Sequence, residues 1–357
     1  MALFPRIREQ RPLLFGSSAS FVINSVGSLT VGNPIRLVIP RQPRRLERLS
    51  VHINATIAAP TSTASYNALE GLIKEARLIV SDSAGQNRTM IKAGGPTLLS
   101  WHRRNVGQLG RFTQASFGSK TAATYDLFIP IHLRHPALSE IIGHRTSLPL
   151  DSAFIAADPI LELDFGTWAD CGLSAGNITI NSAKVNLIYR EVPSSIQYIP
   201  TEFISNDITW PSGGGKGTYD LPSNGYLGGA LLENFTSATA RGDALASTGS
   251  WKFRYGRSEV LDLYEKLIQE EDGWWIGDYP NDVAAVSVKN DLSQFYVDFL
   301  HDTPLGEAVS GGSMPNLYSD NSGDRIQLEG TNLNASALSK VSLYKFLDKN
   351  TAGLIGG

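Results

Sequence analysis

Residues 182–191 read Ser-Ala-Lys-Val-Asn-Leu-Ile-Tyr-Arg-Glu, and residues 339–348 repeat this stretch in similar form as Ser-Lys-Val-Ser-Leu-Tyr-Lys-Phe-Leu-Asp. Both contain Lys-Val-x-Leu, followed by an aromatic-bearing run that ends in mixed charge. Alternating apolar and polar residues followed by β-branched and aromatic ones are typical of a half-buried strand. One stretch lies just before Pro193 and the other nearly ends the chain. We therefore expect two similar domains, each completed by its last strand.

The composition indicates a folded protein with room for two domains. The chain has 357 residues, of which 42% are hydrophobic and 18% charged, a balance typical of globular proteins. Its 34 Gly and 18 Pro predict many turns and therefore many short strands. The net charge of −3 gives no general attraction to nucleic acid, and we expect no sequence-specific nucleic-acid partner.

The single cysteine and the first residues restrict the class of protein further. Cys171 alone excludes an intramolecular disulfide and a cysteine-rich zinc site, and we interpret it as a packed thiol. The chain has no run of about twenty apolar residues, so we predict no membrane-spanning helix. Residues 1–15 place Arg6, Arg8 and Arg11 among apolar residues without the pattern of a secretory signal peptide. This segment is interpreted either as an arm that docks elsewhere or as a terminus tied to its own domain.

Short strands are predicted along the whole chain. In the first half they are residues 20–24, 35–39, 46–57, 76–81, 88–92, 125–133, 160–165 and 182–191. After a linker at residues 193–200, they are residues 203–209, 216–222, 231–236, 251–255, 295–300, 325–329 and 339–347. The strand at 216–222 matches that at 36–40, because both end at Pro, and the strand at 295–300 matches that at 125–133 in its place within its half.

Helices are predicted only between strands. Residues 96–105 follow Gly94-Gly95 and begin with Pro, which suits a short helix, and residues 137–142 form a helical turn. Residues 258–272 are predicted as a longer helix, with Ser258 as N-cap, an apolar stripe through Val260 and Gly273 as the stop. Its acidic residues are interpreted as a solvated face. The resulting fold class is all-β, with two tandem antiparallel sandwiches and short helices in the connecting loops.

No motif in the sequence selects a catalyst. Residues 213–218 have a glycine-rich pattern, but Gly follows Lys216 and a strand comes next, so a phosphate-binding loop is not predicted. His132 and His135 alone do not make a zinc site. The basic connection at residues 40–45 is interpreted as a solvated turn, with a phosphate or subunit contact as the alternative. Trp101 and the pair at 274–275 could stack on sugars or bases, although such aromatics more often pack under loops. We expect no enzymatic activity, no cofactor and no metal.

The order of the strands, together with its doubling, resembles the double jelly-roll major capsid proteins of tailless icosahedral double-stranded DNA viruses. This is the lineage of the membrane-containing bacteriophages and adenovirus. The resemblance covers nearly the whole chain. It is carried by residues 36–40 leading into 46–57, 72–80 leading into a hairpin, 125–133, 159–166, 184–192, 218–222, 295–302 and 340–347.

The resemblance implies two eight-stranded jelly rolls, with an N-terminal arm at residues 1–18, the first roll at 19–193 and the second at 194–357. It implies a homotrimer of pseudo-hexagonal outline that tiles an icosahedral shell, made in the host cytoplasm and located in the virion capsid. Penton and minor capsid proteins are the other implied partners. Arg6, Arg8 and Arg11 in the arm suit contact with an internal viral membrane or a neighbouring capsomer. The alternative from another class is a carbohydrate-binding or carbohydrate-active two-domain β-sandwich that uses Trp251, Trp274 and Trp275 as stacking platforms.

Overall fold

The computed structural model describes seventeen strands, one α-helix and one 3-10 helix within part of the chain. The described residues are 20–23, 34–58, 69–82, 84–106, 122–133, 146–152, 154–167, 170–171, 177–190, 198–209, 216–221, 226–235, 251–255, 258–263, 294–298, 326–331 and 338–347. The predictions for residues 1–18, 137–142 and 193–197 lie outside these residues.

The first half contains nine of the strands and both helices. In chain order they are β1 (Ser20–Ile23), β2 (Ile35–Val38), β3 (Arg45–Ala58), the 3-10 helix (Leu69–Leu72), β4 (Ile73–Ser81), β5 (Asn87–Ala93), α1 (Gly95–Val106), β6 (Ala123–His132), β7 (Leu148–Pro149), β8 (Ile160–Phe165) and β9 (Asn177–Arg190). The strands predicted for this half are confirmed, and α1 confirms the short helix predicted from Pro96.

The second half contains eight strands. They are β10 (Thr201–Thr209), β11 (Lys216–Asp220), β12 (Tyr226–Phe235), β13 (Trp251–Tyr255), β14 (Ser258–Leu263), β15 (Gln294–Asp298), β16 (Ile326–Thr331) and β17 (Leu338–Phe346). The prediction of a helix from residue 258 is wrong, because Ser258–Leu263 is a strand paired antiparallel with β13. A β-bulge in this pair makes Val260 an extra residue without a partner in β13. Two apolar residues, Val260 and Leu261, therefore follow each other and interrupt the alternation that marks a strand. Residues 264–272 lie outside the described part of the chain.

The strands form three sheets with a repeated order. The first sheet runs β1-β9-β3-β6, with the short β7 also on β3, and the third sheet runs β11-β16-β13-β14. The central sheet of eight strands runs β15-β12-β17-β10-β5-β4-β8-β2. Its β10-to-β15 half repeats the order of the first sheet, and its β5-to-β2 half repeats that of the third. Apart from the additional short β7, the described strands of each half of the chain form the same eight-stranded, two-sheet unit, which is a jelly roll.

The repeat predicted from residues 182–191 and 339–348 is confirmed by the topology. β9 lies second in the first sheet, and β17 lies second in the matching part of the central sheet. Val185 and Val341, which share a place in Lys-Val-x-Leu, are both buried, as are Leu187 and Leu343. The two stretches hold corresponding positions in the two rolls.

The apolar alternation of the long strand β3 explains how the first core forms. The five predicted inward residues are all at most 1% exposed, namely Leu49, Val51, Ile53, Ala55 and Ile57. The residues between them, such as His52 and Asn54, point to the opposite face, as the two-residue period of a strand requires.

The first and third sheets cover opposite faces of the central sheet. Along β17, Tyr344 and Phe346 belong to the core under the first sheet, whereas Val341 and Leu343 belong to the core under the third sheet. Because successive side chains of a strand point to opposite faces, the two cores lie on the two sides of one continuous sheet. The two rolls therefore meet inside the central sheet, where β5 of the first roll lies next to β10 of the second.

Candidate assembly site at the junction of the two rolls

The junction begins with a short parallel pairing between β5 of the first roll and β10 of the second. Phe203 is opposite Ile91, and Ile204 is opposite Lys92. The neighbouring pairs in the central sheet are antiparallel. Two residue pairs are few for a stable contact between domains, so side-chain contacts must supply the rest.

A buried cluster of charges lies beside this pairing. The carboxylate of Glu202 in β10 accepts hydrogen bonds from Arg88 of β5, at 2.6 Å from Nη2 and 2.7 Å from Nε. Its second oxygen lies 3.1 Å from Nζ of Lys345 in β17. Glu202 and Lys345 are buried, and loss of solvent lowers the pKa of Lys345, although the Glu202 charge opposes that shift. A buried charge is tolerated when it is paired and hydrogen-bonded, as Glu202 is here.

The helix α1 contributes an aromatic contact across the same junction. The Trp101 ring lies 4.7 Å from that of Phe203, 5.0 Å from Tyr344 and 5.5 Å from Tyr296, measured between centroids. All four side chains are at most 4% exposed and belong to the core that lies under the first sheet. Trp101 therefore packs inside the protein, as the more common role of such aromatics predicts, and it is not a surface platform for sugars or bases.

A second contact from α1 reaches further into the second roll. Thr97 Oγ1 donates a hydrogen bond of 2.6 Å to Oε2 of Glu233 in β12, and both residues are buried. Gly95 lets the helix begin close to the 3-10 helix, because a Cβ there would overlap the carbonyl oxygen of Glu70. These contacts position α1 between the two rolls.

The end of α1 also meets the edge strand of the first sheet. His102 Nδ1 lies 2.6 Å from His132 Nε2, and the two ring planes differ by 4°. The ring centroids are 4.9 Å apart, nearly twice the nitrogen separation, so the imidazoles meet edge to edge in nearly one plane. His132 is thus used in a contact between elements. Within the described residues, no group of three or more His, Cys, Asp or Glu could hold a metal ion.

A small cavity lies next to these histidines. His132, Thr146, Tyr198, Thr201 and Tyr344 are among its lining residues, together with apolar side chains of both rolls. It has room for about one water molecule, which is too little for a substrate or cofactor. Burial raises the pKa values of Tyr198 and Tyr344, so both phenols stay neutral.

The basic connection at residues 40–45 contacts residues much later in the chain. Arg41 Nε lies 3.0 Å from Oδ1 of Asp158, and its backbone N–H donates to the same oxygen at 3.1 Å. Arg45 is buried, with its guanidinium carbon 5.7 Å from the centre of the Tyr198 ring, and desolvation lowers its pKa. The interpretation of this stretch as a solvated turn is therefore wrong for Arg45, whose guanidinium packs against the residues that follow the first roll.

Several residues singled out from the sequence lie elsewhere. Cys171 is fully buried, and its pKa is raised well above the ordinary value by burial and by the charges of Glu70 and Asp170, so it is the packed thiol that was predicted. Arg6, Arg8, Arg11, His135, Trp274 and Trp275 lie outside the described residues, as does the Trp251 side chain. In the described part of the chain, no helix is long and apolar enough to cross a membrane.

Sequence reasoning missed the charged cluster, although one signal for it was present. Lys345 continues the inward alternation of Val341 and Leu343 in β17, where an apolar residue is expected. A charge at such a position requires a buried partner. The partner is Glu202 because β10 lies next to β17, and the apolar pattern of single strands does not specify which strands are neighbours.

Comparison with known proteins identifies the fold. No protein-family model and no curated protein matches the sequence. Among solved structures, the major capsid protein of Sulfolobus turreted icosahedral virus is similar over 93% of this chain and 97% of its own, with a TM-score of 0.64 and 12% identity. The PBCV-1 virus capsid gives a TM-score of 0.57 at 12% identity, over 93% of this chain and 94% of its own.

The major capsid protein of bacteriophage PM2 is also similar, with a TM-score of 0.53 and 12% identity over 93% of this chain and 99% of its own. The likeness to all three extends over almost the full length of both chains. The chain therefore has the double jelly-roll fold seen in viral capsid proteins, which confirms the predicted fold class.

Proposed function

We propose that this protein is a major capsid protein that forms homotrimers and, through them, an icosahedral virion shell. The observation that carries the proposal is the doubled roll itself: both rolls have one strand order, they share a buried junction, and nearly the whole chain superposes on viral capsid proteins. The proposed role is architectural and not enzymatic. The described residues favour it, because their aromatic and charged clusters are used to join the two rolls.

The proposed domains are an arm at residues 1–18, a first roll at 19–193 and a second at 194–357. The shared junction supports treating the two rolls as one rigid building block, because the first core takes in Tyr198, Phe203 and Tyr344 from beyond residue 193. We place the protein in the virion capsid, after synthesis in the host cytoplasm, with penton and minor capsid proteins as further partners. The arm would contact an internal membrane or a neighbouring capsomer through Arg6, Arg8 and Arg11.

Sedimentation of the purified protein, combined with negative-stain imaging, tests this function. We expect a stable trimer that joins into shells or shell fragments as its concentration rises. A monomer at every concentration that binds glycans on an array would overturn the capsid role and favour the carbohydrate-binding alternative. A glycan-binding mutant scan at Trp251, Trp274 and Trp275 would then locate the binding surface.

A further inference from the structure

The two strands that join the rolls inside one chain have counterparts at the outer edges of the other two sheets. β5 is the last strand of its set of four, β10 is the first strand of the next set, and the two edges pair in parallel. β14 in the third sheet corresponds in position to β5, and β1 in the first sheet corresponds in position to β10. Among the described residues, neither β1 nor β14 has a strand along its outer edge.

The correspondence between β1 and β10 is fixed residue by residue. Phe21 is opposite Val185 in the β1–β9 pair, and Asn206 is opposite Val341 in the β10–β17 pair. Val185 and Val341 hold the same place in the repeated Lys-Val-x-Leu stretch. Phe21 is therefore the positional counterpart of Asn206.

The correspondence between β14 and β5 is marked by a shared irregularity. The β4–β5 pair changes register between Leu78 and Ile79, and the β13–β14 pair does so between Phe253 and Arg254. In both cases one extra residue is inserted on the second strand. β-Bulges are specific local features, so one at the same place in both hairpins aligns the two strands.

This alignment extends to the residues at the edge. Lys92 is opposite Arg77, in the second pair before the first register change, and Asp262 is opposite Lys252, in the second pair before the second change. Asp262 is therefore the counterpart of Lys92, which lies in the parallel pairing of the internal junction.

We propose that β14 of one chain pairs in parallel with β1 of a second copy, by the arrangement that joins β5 to β10 within a chain. The proposal rests on the proposed function, since it names the surface through which copies associate. An exposed strand edge offers unpaired N–H and C=O groups to another strand. A head-to-tail contact of this kind gives a ring when the rotation between copies closes, and junctions within and between chains then alternate around the ring.

The contact between copies differs from the internal junction in its charges. By the same alignments, Ser258 stands in the position of Arg88, and Tyr189 in the position of Lys345. Neither charged partner of Glu202 in the internal junction therefore has a charged counterpart at the contact between copies.

Cysteine cross-linking tests the pairing directly. In the double variant Phe21→Cys with Asp262→Cys, a short bismaleimide should join different chains and give covalent dimers and trimers on a denaturing gel. The matched control is Lys92→Cys with Asn206→Cys, which occupies the counterpart positions of the internal junction and should cross-link within one chain. Cys171 is fully buried and should not compete for the reagent.

The outcomes separate this inference from the proposed function. Trimers in sedimentation, with an efficient control cross-link but none between Phe21→Cys and Asp262→Cys, would overturn the strand pairing and leave the capsid role standing. A protein that stays monomeric would overturn both.

Amide hydrogen exchange on the unaltered assembled protein provides a second measurement, because replacing Phe21 can weaken β1. Alternate amides of β1 and β14 should exchange as slowly as those of β5 and β10. β11, the other edge of the third sheet, should exchange faster. Equally fast exchange in β14 and β11 would contradict the pairing.

Discussion

Glu202 accepts a hydrogen bond of 2.7 Å from Nε of Arg88, and this partly buried contact joins the two jelly rolls beside the two residue pairs that link them within the described part of the sheet. Arg88 belongs to the β4–β5 hairpin at the edge of the first roll's part of the central sheet, whereas Glu202 lies in β10, the first strand of the second roll. A backbone ladder of two residue pairs is short, so this ion pair and the Trp101 contacts must account for much of the coupling between the rolls.

Replacing Glu202 by Gln should destabilise the protein strongly. The substitution removes the negative charge that pairs with half-buried Arg88 and with buried Lys345, and losing one partner of a buried pair costs about 3–5 kcal/mol. The free energy of unfolding in a denaturant titration measures this cost. Glu75→Gln is the matched control, because Glu75 pairs with Arg77 at 2.9 Å on the partly exposed face and should cost under about 1 kcal/mol. Equal losses in the two variants would show that the cluster does not stabilise the junction.

Replacing Trp101 by Ala should destabilise the protein by about 3–5 kcal/mol, because a large cavity forms among rings from both rolls. Trp101→Phe keeps part of the packing and should cost less. Phe128→Ala is the control for losing an aromatic ring, since Phe128 lies on the outer face of the first sheet and stacks on His52. Because the substitution removes one of the six tryptophans and so alters the fluorescence signal, unfolding should be followed by far-UV circular dichroism in all variants. A smaller loss for Trp101→Ala than for Phe128→Ala would contradict the role of α1 as a bridge.

The sequence predicts the content of each roll better than it predicts how the rolls meet. Lys-Val-x-Leu identified β9 and β17 as counterparts, because the alternation of inward apolar residues is a local pattern that can be read from consecutive residues. The pairing of Phe203 with Ile91 could not be read in this way, since it joins residues from different halves and depends on tertiary packing. The bulge at Val260 hid β14 for a local reason: one inserted residue removes the two-residue period.

The outer face of the first sheet should show a pH-dependent contribution from Asp126. Hydrogen bonds from Asn54, at 2.9 Å, and from His52, at 2.8 Å, lower the pKa of this carboxyl below its ordinary value of 3.8. A lowered folded-state pKa stabilises the folded protein above the unfolded value, and this stabilisation is lost as the pH falls through the folded value. The wild-type advantage over Asp126→Asn should therefore be present at pH 6 and shrink below about pH 4.

The difference in unfolding free energy between the two proteins, measured at several pH values, tests this expectation. Because the Asp126 side chain is 38% exposed, solvent screening should keep the difference under about 1 kcal/mol. Asp158→Asn is the control, because Asp158 has a similar exposure but pairs with Arg41. Its pH dependence need not follow that of Asp126→Asn. A wild-type advantage that grows as the pH falls below 4 would contradict the assigned hydrogen bonds.

Deleting residues 1–15 should leave the double roll folded but impair assembly of particles. The described core begins beyond this segment, so its removal should change the free energy of unfolding little. The arm's three arginines and its apolar residues suit contact with anionic headgroups or a neighbouring capsomer, each basic residue adding about 1 kcal/mol at an anionic surface. Trimer content by sedimentation and particle yield by electron microscopy should be measured together. The triple variant Arg6→Ser, Arg8→Ser, Arg11→Ser separates charge from chain length: reduced yield in both variants supports an electrostatic contact, whereas unchanged yield in both refutes a role for the arm.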